Sequence, residues 1–142
     1  MKILLTGGAG FIGSHVAEAY VAAGHEVVVV DDLSTGKIEN LPAQLPVHKV
    51  DISSARLAEI FERERPDVVN HHAAQVSVNV SVRESRRDAE VNVLGSLNVI
   101  DCCLRYGVKK LIYISSGGAA VGEPRYLPVD ERHPVDPLSP YG

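Results

Sequence analysis

An α/β fold built on a doubly wound parallel sheet is what this sequence predicts, on three observations. Short apolar runs rich in Val and Ile alternate with longer stretches whose apolar residues recur at helical spacing. The runs are apolar throughout, as strands covered on both faces are. A glycine-rich turn, Thr6-Gly7-Gly8-Ala9-Gly10-Phe11-Ile12-Gly13, joins the first run to the first helical stretch. Strand and helix in repetition imply right-handed crossovers and a parallel sheet.

Lys2–Thr6 is the first strand. Ile12, Val16, Ala19 and Ala23 repeat at helical spacing behind it and predict a buried helical stripe, with Gly24 as its stop. Residues 26–31 form a second strand and 47–52 a weaker third. Ser53 or Ser54 caps a helix whose buried residues are Leu57, Ile60 and Phe61 and which halts before Pro66. Residues 67–71 are the fourth strand. The longest helix is expected near 86–106, with Ala89, Val93, Leu97, Ile100 and Leu104 as its buried stripe and Gly107 closing it. Residues 110–116 form the fifth strand, and from Gly117 onward the prolines and charges indicate loop.

The 142 residues suit one domain. With 45% hydrophobic and 23% charged residues, the chain has the composition of a globular protein rather than a disordered one. Net charge is −4 and the longest basic clusters are pairs, which argues against nucleic acid as a partner. No apolar run approaches a membrane span, so no membrane role is expected. Cys102 and Cys103 are the only cysteines and are adjacent. They cannot staple a fold, a cytoplasmic location is expected, and one of them should face the core. His71 and His72 are neighbours on a strand and point to opposite faces, so no metal site is expected.

The glycine turn carries the chemistry. Gly8, Gly10 and Gly13 fit G-x-G-x-x-G, and Gly7, Gly10 and Gly13 fit the wider G-x-x-G-x-x-G. Such glycines permit a sharp turn, close approach of a pyrophosphate and tight packing of helix on strand. Unpaired amides at the helix N-terminus then face the anion. Asp31, 18 residues past Gly13 at the end of the second strand, is placed to accept hydrogen bonds from a ribose. It would repel a 2′-phosphate, so the expected cofactor is NAD rather than NADP.

With the wider glycine spacing, the Asp31-Asp32-Leu33-Ser34-Thr35-Gly36 segment and the Asp51-Ile52 pair, the chain resembles the extended short-chain dehydrogenase/reductase superfamily. Within it, the likeness is to nucleotide-sugar epimerases of the UDP-glucose 4-epimerase type, and it runs from Met1 to Gly142. The resemblance implies an NAD-binding Rossmann fold. It also implies that the amides of Phe11 and Ile12 meet the pyrophosphate, that residues 31–36 wrap the ribose, and that Asp51 and Ile52 reach the adenine. Ala73, Ala74 and Gln75 would lie against the cofactor, and Asn92 matches the asparagine of the family's N-x-x-G helix motif. The family places a catalytic hydroxyl third in an S-S-[ST] triplet. Here that position is Gly117, so Ser116 or Ser115 is expected to supply it. Tyr141 matches the catalytic tyrosine of Tyr-x-x-x-Lys.

The lysine of that motif would fall beyond Gly142. Residues 1–142 are therefore expected to be the NAD-binding N-terminal part of a longer enzyme, with the substrate domain absent from this chain. Alone they should be inactive and prone to associate through the fifth strand. The resemblance implies a UDP-sugar substrate, a homodimer, and hydride transfer at the sugar C4 through a 4-keto intermediate. A UDP-glucuronate decarboxylase or a non-catalytic NAD sensor are the alternatives. A 4,6-dehydratase is disfavoured, because that branch has an Asp-Glu pair where this chain has Gly117-Gly118.

Overall fold

The computed structural model describes residues 1–142 and has β1 (Lys2–Thr6) at the middle of one parallel sheet. Beside it on one edge lie β2 (Glu26–Asp31) and β3 (Val47–Lys49), and on the other β4 (Val68–His71) and β5 (Lys110–Tyr113). The order β3-β2-β1-β4-β5 is that of the first five strands of a doubly wound sheet. Both β3 and β5 are shorter than the apolar runs suggest, ending at Lys49 and Tyr113 rather than at 52 and 116. Pairing in register sets Thr6 level with His71 and His71 level with Tyr113. The chain therefore leaves β1, β4 and β5 along one line. Crossovers run in opposite directions from β1 and β4, and the crevice between them is where such sheets bind ligands.

Two layers cover the sheet. On one face α2 (Arg56–Glu64) and α5 (Ser96–Arg105) bury Leu57, Ile60, Phe61, Val99, Cys102 and Cys103 against Leu4, Val30 and Val69. On the other, α1 (Phe11–Ala22) packs Ala17 against Leu5, Val27 and Val29. The α2 face is the predicted one. Its C-terminal end is tied down by Glu64, which accepts from Lys2 Nζ at 2.8 Å and from His48 Nε2 at 2.8 Å. Lys2 is the main cause that holds the Glu64 carboxyl at about 2.

The other two helical stripes are displaced from their predicted positions. In α1 the buried residues are Gly13, Ser14 and Ala17, whereas Ile12, Ala19 and Ala23 are exposed. Gly13 faces the sheet where the helix backbone lies too close for a side chain, and Val16 of the predicted stripe, half-buried, packs against the same cluster as Ala17. The long helix consists of α4 (Ser85–Ala89), one π-helical stretch (Glu90–Gly95) and α5, continuous through αR conformations at Ala89, Glu90, Gly95 and Ser96. Its buried face is Asp88, Gly95, Ser96, Val99, Cys102 and Cys103. Val93, Leu97 and Leu104 of the expected stripe are exposed, Ala89 as well, and Ile100 is half-buried. A π turn adds a residue to one turn and rotates everything after it, and here the buried face is small and polar where it meets β4. Both cysteines are buried, not one, and burial pushes the Cys103 thiol up to about 11.

Sequence periodicity also leaves out α3 (Val78–Arg83) and α6 (Gly117–Val121), the latter in a stretch predicted as loop. No helix is long and apolar enough to cross a membrane. The displaced stripe is directly testable. Val99→Ala should cost roughly 1–3 kcal/mol of stability and Leu97→Ala less than about 0.5. Urea denaturation that ranks them the other way would return Leu97 to the core.

Candidate functional site

At the C-terminal end of β1 the chain turns through Gly7 at φ +66°, a conformation that glycine adopts without strain. A Cβ on Gly7 would stand 2.6 Å from the Ala73 amide nitrogen, so two backbone segments touch there. A Cβ on Gly13 would overlap Gly7 O and stand 2.8 Å from Gly8 Cα. Gly10, the N-cap of α1, has only Gly7 O near it, at 3.3 Å. No side chain caps α1 and its first turn has no acidic residue. The amides of Phe11, Ile12 and Gly13 have no backbone acceptor, and Ser14 N is the first to bond back, to Gly10 O at 3.0 Å. Three free donors and the positive end of the helix dipole thus converge over a glycine floor, an arrangement suited to an anion.

Asp31 ends β2 beside this turn and is 7% exposed. Its Oδ2 accepts from Ala9 N at 2.9 Å and its Oδ1 from Leu33 N at 2.8 Å. These two amides fix the carboxylate, and each oxygen keeps a further lone pair for a ligand. Gly36 leaves room beside it, since a Cβ there would lie 3.0 Å from Asp31 Oδ1. Asp32 folds the segment on itself by accepting from Ser34 N and Ser34 Oγ, and Thr35 is exposed. Asp51 is exposed, and its Oδ1 accepts from Ser53 N at 2.8 Å. Ile52 belongs to the core cluster and is buried. Its carbonyl is held by Asn98 Nδ2 at 2.6 Å.

After β4, residues 72–77 form a strap across the top of the sheet. Asn92, which matches the asparagine of the family's N-x-x-G helix motif, holds this strap. Its Oδ1 accepts from Gln75 N at 2.8 Å, and its Nδ2 donates to Gln75 O and to Asp88 Oδ1. Both amide protons are engaged. Gln75 also turns its side chain inward, donating to Asp88 Oδ1 at 2.7 Å and Ser77 O at 3.0 Å. Asp88 is 4% exposed and anchors both amides. Sequence reading missed it because it sits in an apparently solvated run, Ser85-Arg86-Arg87-Asp88. The one available signal was its spacing of four residues from Asn92, which puts the two on one helix face.

His71 lies beneath the strap. Its Nδ1 is 2.6 Å from Thr6 Oγ1 and its Nε2 is 3.1 Å from Ser96 Oγ. Thr6, His71 and Ser96 are all buried, and none of the three stood out as functional in the sequence. A polar residue inside an apolar strand run was the only mark of Thr6 and His71, and Ser96, in the long helix, had none. Burial is the main cause that lowers the His71 imidazole to about 4, with neighbouring His72 a smaller one. His72 is lowered by burial too, and its Nε2 is buried without a partner. The sign follows. Unfolded imidazole gains a proton below about 6.5 while folded His71 stays neutral until about 4. Stability present above about pH 6.5 should therefore fall by something on the order of 3 kcal/mol across that window, then level off. Chemical denaturation as a function of pH checks this, and a flat profile between about 6.5 and 4.5 would contradict it.

Tyr141 returns to the strand ends from the other side. A cleft of about 120 Å³ is lined by Tyr141, Ser115, Ser116, Ala73, Ala74 and Asn92 together with His72. The expected proton-transfer residues are thus brought together over the strap. Ser116 is the N-cap residue of α6, and its side chain makes no capping bond. A Cβ on Gly117 would meet nothing within 4 Å, so packing does not require glycine there. The glycine turn, Asp31–Gly36 and Asp51 follow the C-terminal ends of β1, β2 and β3, and the glycine turn adjoins this cleft through the Gly7–Ala73 contact.

The family model for the NAD dependent epimerase/dehydratase family matches residues 3–142. Among curated relatives, a putative UDP-glucose 4-epimerase of Methanocaldococcus jannaschii is 44% identical over 99% of this chain and 46% of its own length. The UDP-glucose 4-epimerase of Mycolicibacterium smegmatis is 42% identical, over 99% of this chain and 47% of its own. Of solved structures, the Thermus thermophilus UDP-glucose 4-epimerase in complex with NAD superposes with a TM-score of 0.95 at 48% identity, covering 99% of this chain and 46% of that one. The chain spans about half the length of the relatives it matches. By its sheet order, its glycine turn and this match over nearly every residue, the chain belongs to the NAD dependent epimerase/dehydratase family.

Proposed function

We propose that this chain is the NAD-binding part, residues 1–142, of a nucleotide-sugar 4-epimerase that interconverts UDP-glucose and UDP-galactose. The observation that carries the reading is the gathering of Tyr141, Ser115 and Ser116 on one cleft above Ala73 and Ala74. The residues at the ends of β1, β2 and β3 fit the cofactor. Gly7, Gly10 and Gly13 leave a cradle that side chains would fill, and Phe11, Ile12 and Gly13 offer free amides to a pyrophosphate. Asp31 would accept from the adenosine ribose, residues 32–36 would close around it, and Asp51 with the Ile52 backbone would border the adenine. The strap Ala73–Gln75, small where it faces out, would form the remaining wall.

NAD bound there supplies a reversible hydride acceptor. Inversion at the sugar C4 through a 4-keto intermediate requires the C4 oxygen to lose a proton and regain it. Tyr141 is the group for this, as a phenolate that takes the proton and returns it. Ser116, or Ser115 beside it, would hydrogen-bond the same oxygen and stabilise charge as it develops. Comparison with the Thermotoga maritima UDP-glucose 4-epimerase, solved with UDP-glucose, supports the substrate class at 47% identity and a TM-score of 0.95. A cytoplasmic homodimer belongs to the same reading. The exposed Val93, Leu97 and Leu104 on one side of the long helix are a surface suited to pairing.

Two outcomes follow. Calorimetric titration of the complete protein should find NAD bound at least about tenfold more tightly than NADP. Asp31→Ala should weaken NAD and narrow that difference; equal affinities in the parent protein would sink the assignment. In a UDP-galactose assay, Ser116→Ala should lower turnover roughly 10²-fold. Gly117→Ser, which the open space admits, should change it little. A large gain from Gly117→Ser would instead favour an NAD sensor with impaired chemistry.

A further inference from the structure

The polar chain beneath the strap allows one order of protons. Ser96 Oγ donates to Asn92 O at 2.7 Å, and a hydroxyl has a single proton to give. Towards His71 Nε2, 3.1 Å away, Ser96 can therefore only accept, and Nε2 has the ring's proton. Nδ1 is then a bare acceptor, and Thr6 Oγ1 donates to it at 2.6 Å. Thr6 Oγ1 in turn accepts from Ala73 N at 3.2 Å. The opposite tautomer would set the Nε2 lone pair against that of Ser96 and leave the Thr6 proton without an acceptor, although Thr6 is 0% exposed. Buried unmatched polar groups of this kind are costly.

We infer that His71 is a positioning residue of the cofactor site, held as the Nε2–H tautomer, which locks the strap and the π turn to the end of β1. The chain of bonds runs Ala73 N–H to Thr6, Thr6 to His71, His71 to Ser96 and Ser96 to the Asn92 carbonyl in the π turn. Each end touches a different wall of the site. Thr6 precedes Gly7, whose backbone abuts Ala73, and Asn92 holds Gln75 at the far end of the strap. The spacing between the glycine turn and the strap is thereby referred to one imidazole. His71 contacts no bound group in this role and acts through Ala73 and Asn92. Its effect on dinucleotide affinity rests on the NAD reading above, whereas its tautomer and its coupling to Ala73 do not.

The test has two arms. Nitrogen-15 NMR of the imidazole should show a protonated Nε2 and an unprotonated Nδ1 for His71, unchanged between about pH 6 and 8. Thr6→Val keeps the shape and removes the hydroxyl, whereas Thr6→Ser keeps the hydroxyl. Thr6→Val and Ser96→Ala should each speed hydrogen exchange at the Ala73 amide about tenfold or more and weaken NAD by about tenfold. Thr6→Ser should stay near the parent in both. Ser96 does not touch Ala73, so faster exchange there in Ser96→Ala reports the coupling itself. An Nδ1–H tautomer, or Ala73 exchange indifferent to Ser96→Ala, would overturn the inference. Should the parent protein bind no NAD, the cofactor reading fails while these two arms still decide the role of His71.

Discussion

The close approach of backbone to backbone around Gly7 and Gly13 is the constraint on which the rest of the site depends. A single Cβ at Gly13 would overlap the Gly7 carbonyl, and one at Gly7 would overlap Ala73. Because neither is present, α1 starts directly above the end of β1, and its first amides stay free of side-chain caps. The same closeness explains why α1 turns Gly13 to the sheet. Tight packing and the free amides have one cause here. A helix set farther from the sheet would move its N-terminus away from the crevice.

Around that contact the structure uses buried hydrogen bonds where a hydrophobic core would have used volume. Asp31 is fixed by the amides of Ala9 and Leu33, the strap by Asn92 and Asp88, and β1 to β4 to the long helix by Thr6, His71 and Ser96. Directional bonds hold a surface to a narrower geometry than apolar contacts do, at the cost of leaving expensive orphans when any partner is lost. The apolar clusters sit lower in the sheet, about Leu4, Leu5, Val29, Phe61 and Val69. The polar contacts are concentrated at the strand ends. Stability and site geometry therefore have separate sources in this fold.

The strands and the glycine turn were legible in the sequence because apolar runs and glycine spacing are local signals. The stripe of the long helix was not. Ala89, Val93, Leu97, Ile100 and Leu104 keep good helical spacing, yet a π turn at Glu90–Gly95 and a polar inner face give the core Gly95, Ser96 and Val99 instead. Nothing in the local pattern announces a π turn, where Asn92 and, just after it, Ser96 bond to parts of the chain far off in sequence, Asn92 to the strap at Gln75 and Ser96 to His71 of β4. Asp31 was found through its place at a strand end. Its bonds to Ala9 and Leu33 were out of reach of any spacing argument. Asn92 was identified as a residue of the site, but its contact is with Gln75, a partner that only the folded chain brings near.

In the proposed reading, free amides at the start of α1, with Asp31 beside them, form the dinucleotide site. Amide chemical shifts recorded while NAD is added to the nitrogen-15-labelled protein test it most directly. The shifts of Phe11, Ile12, Gly13, Leu33 and Ala73 should move together and saturate together. Shifts confined to the far edge of the sheet, around His48, Arg56 and Arg63, with the glycine turn unmoved, would contradict it.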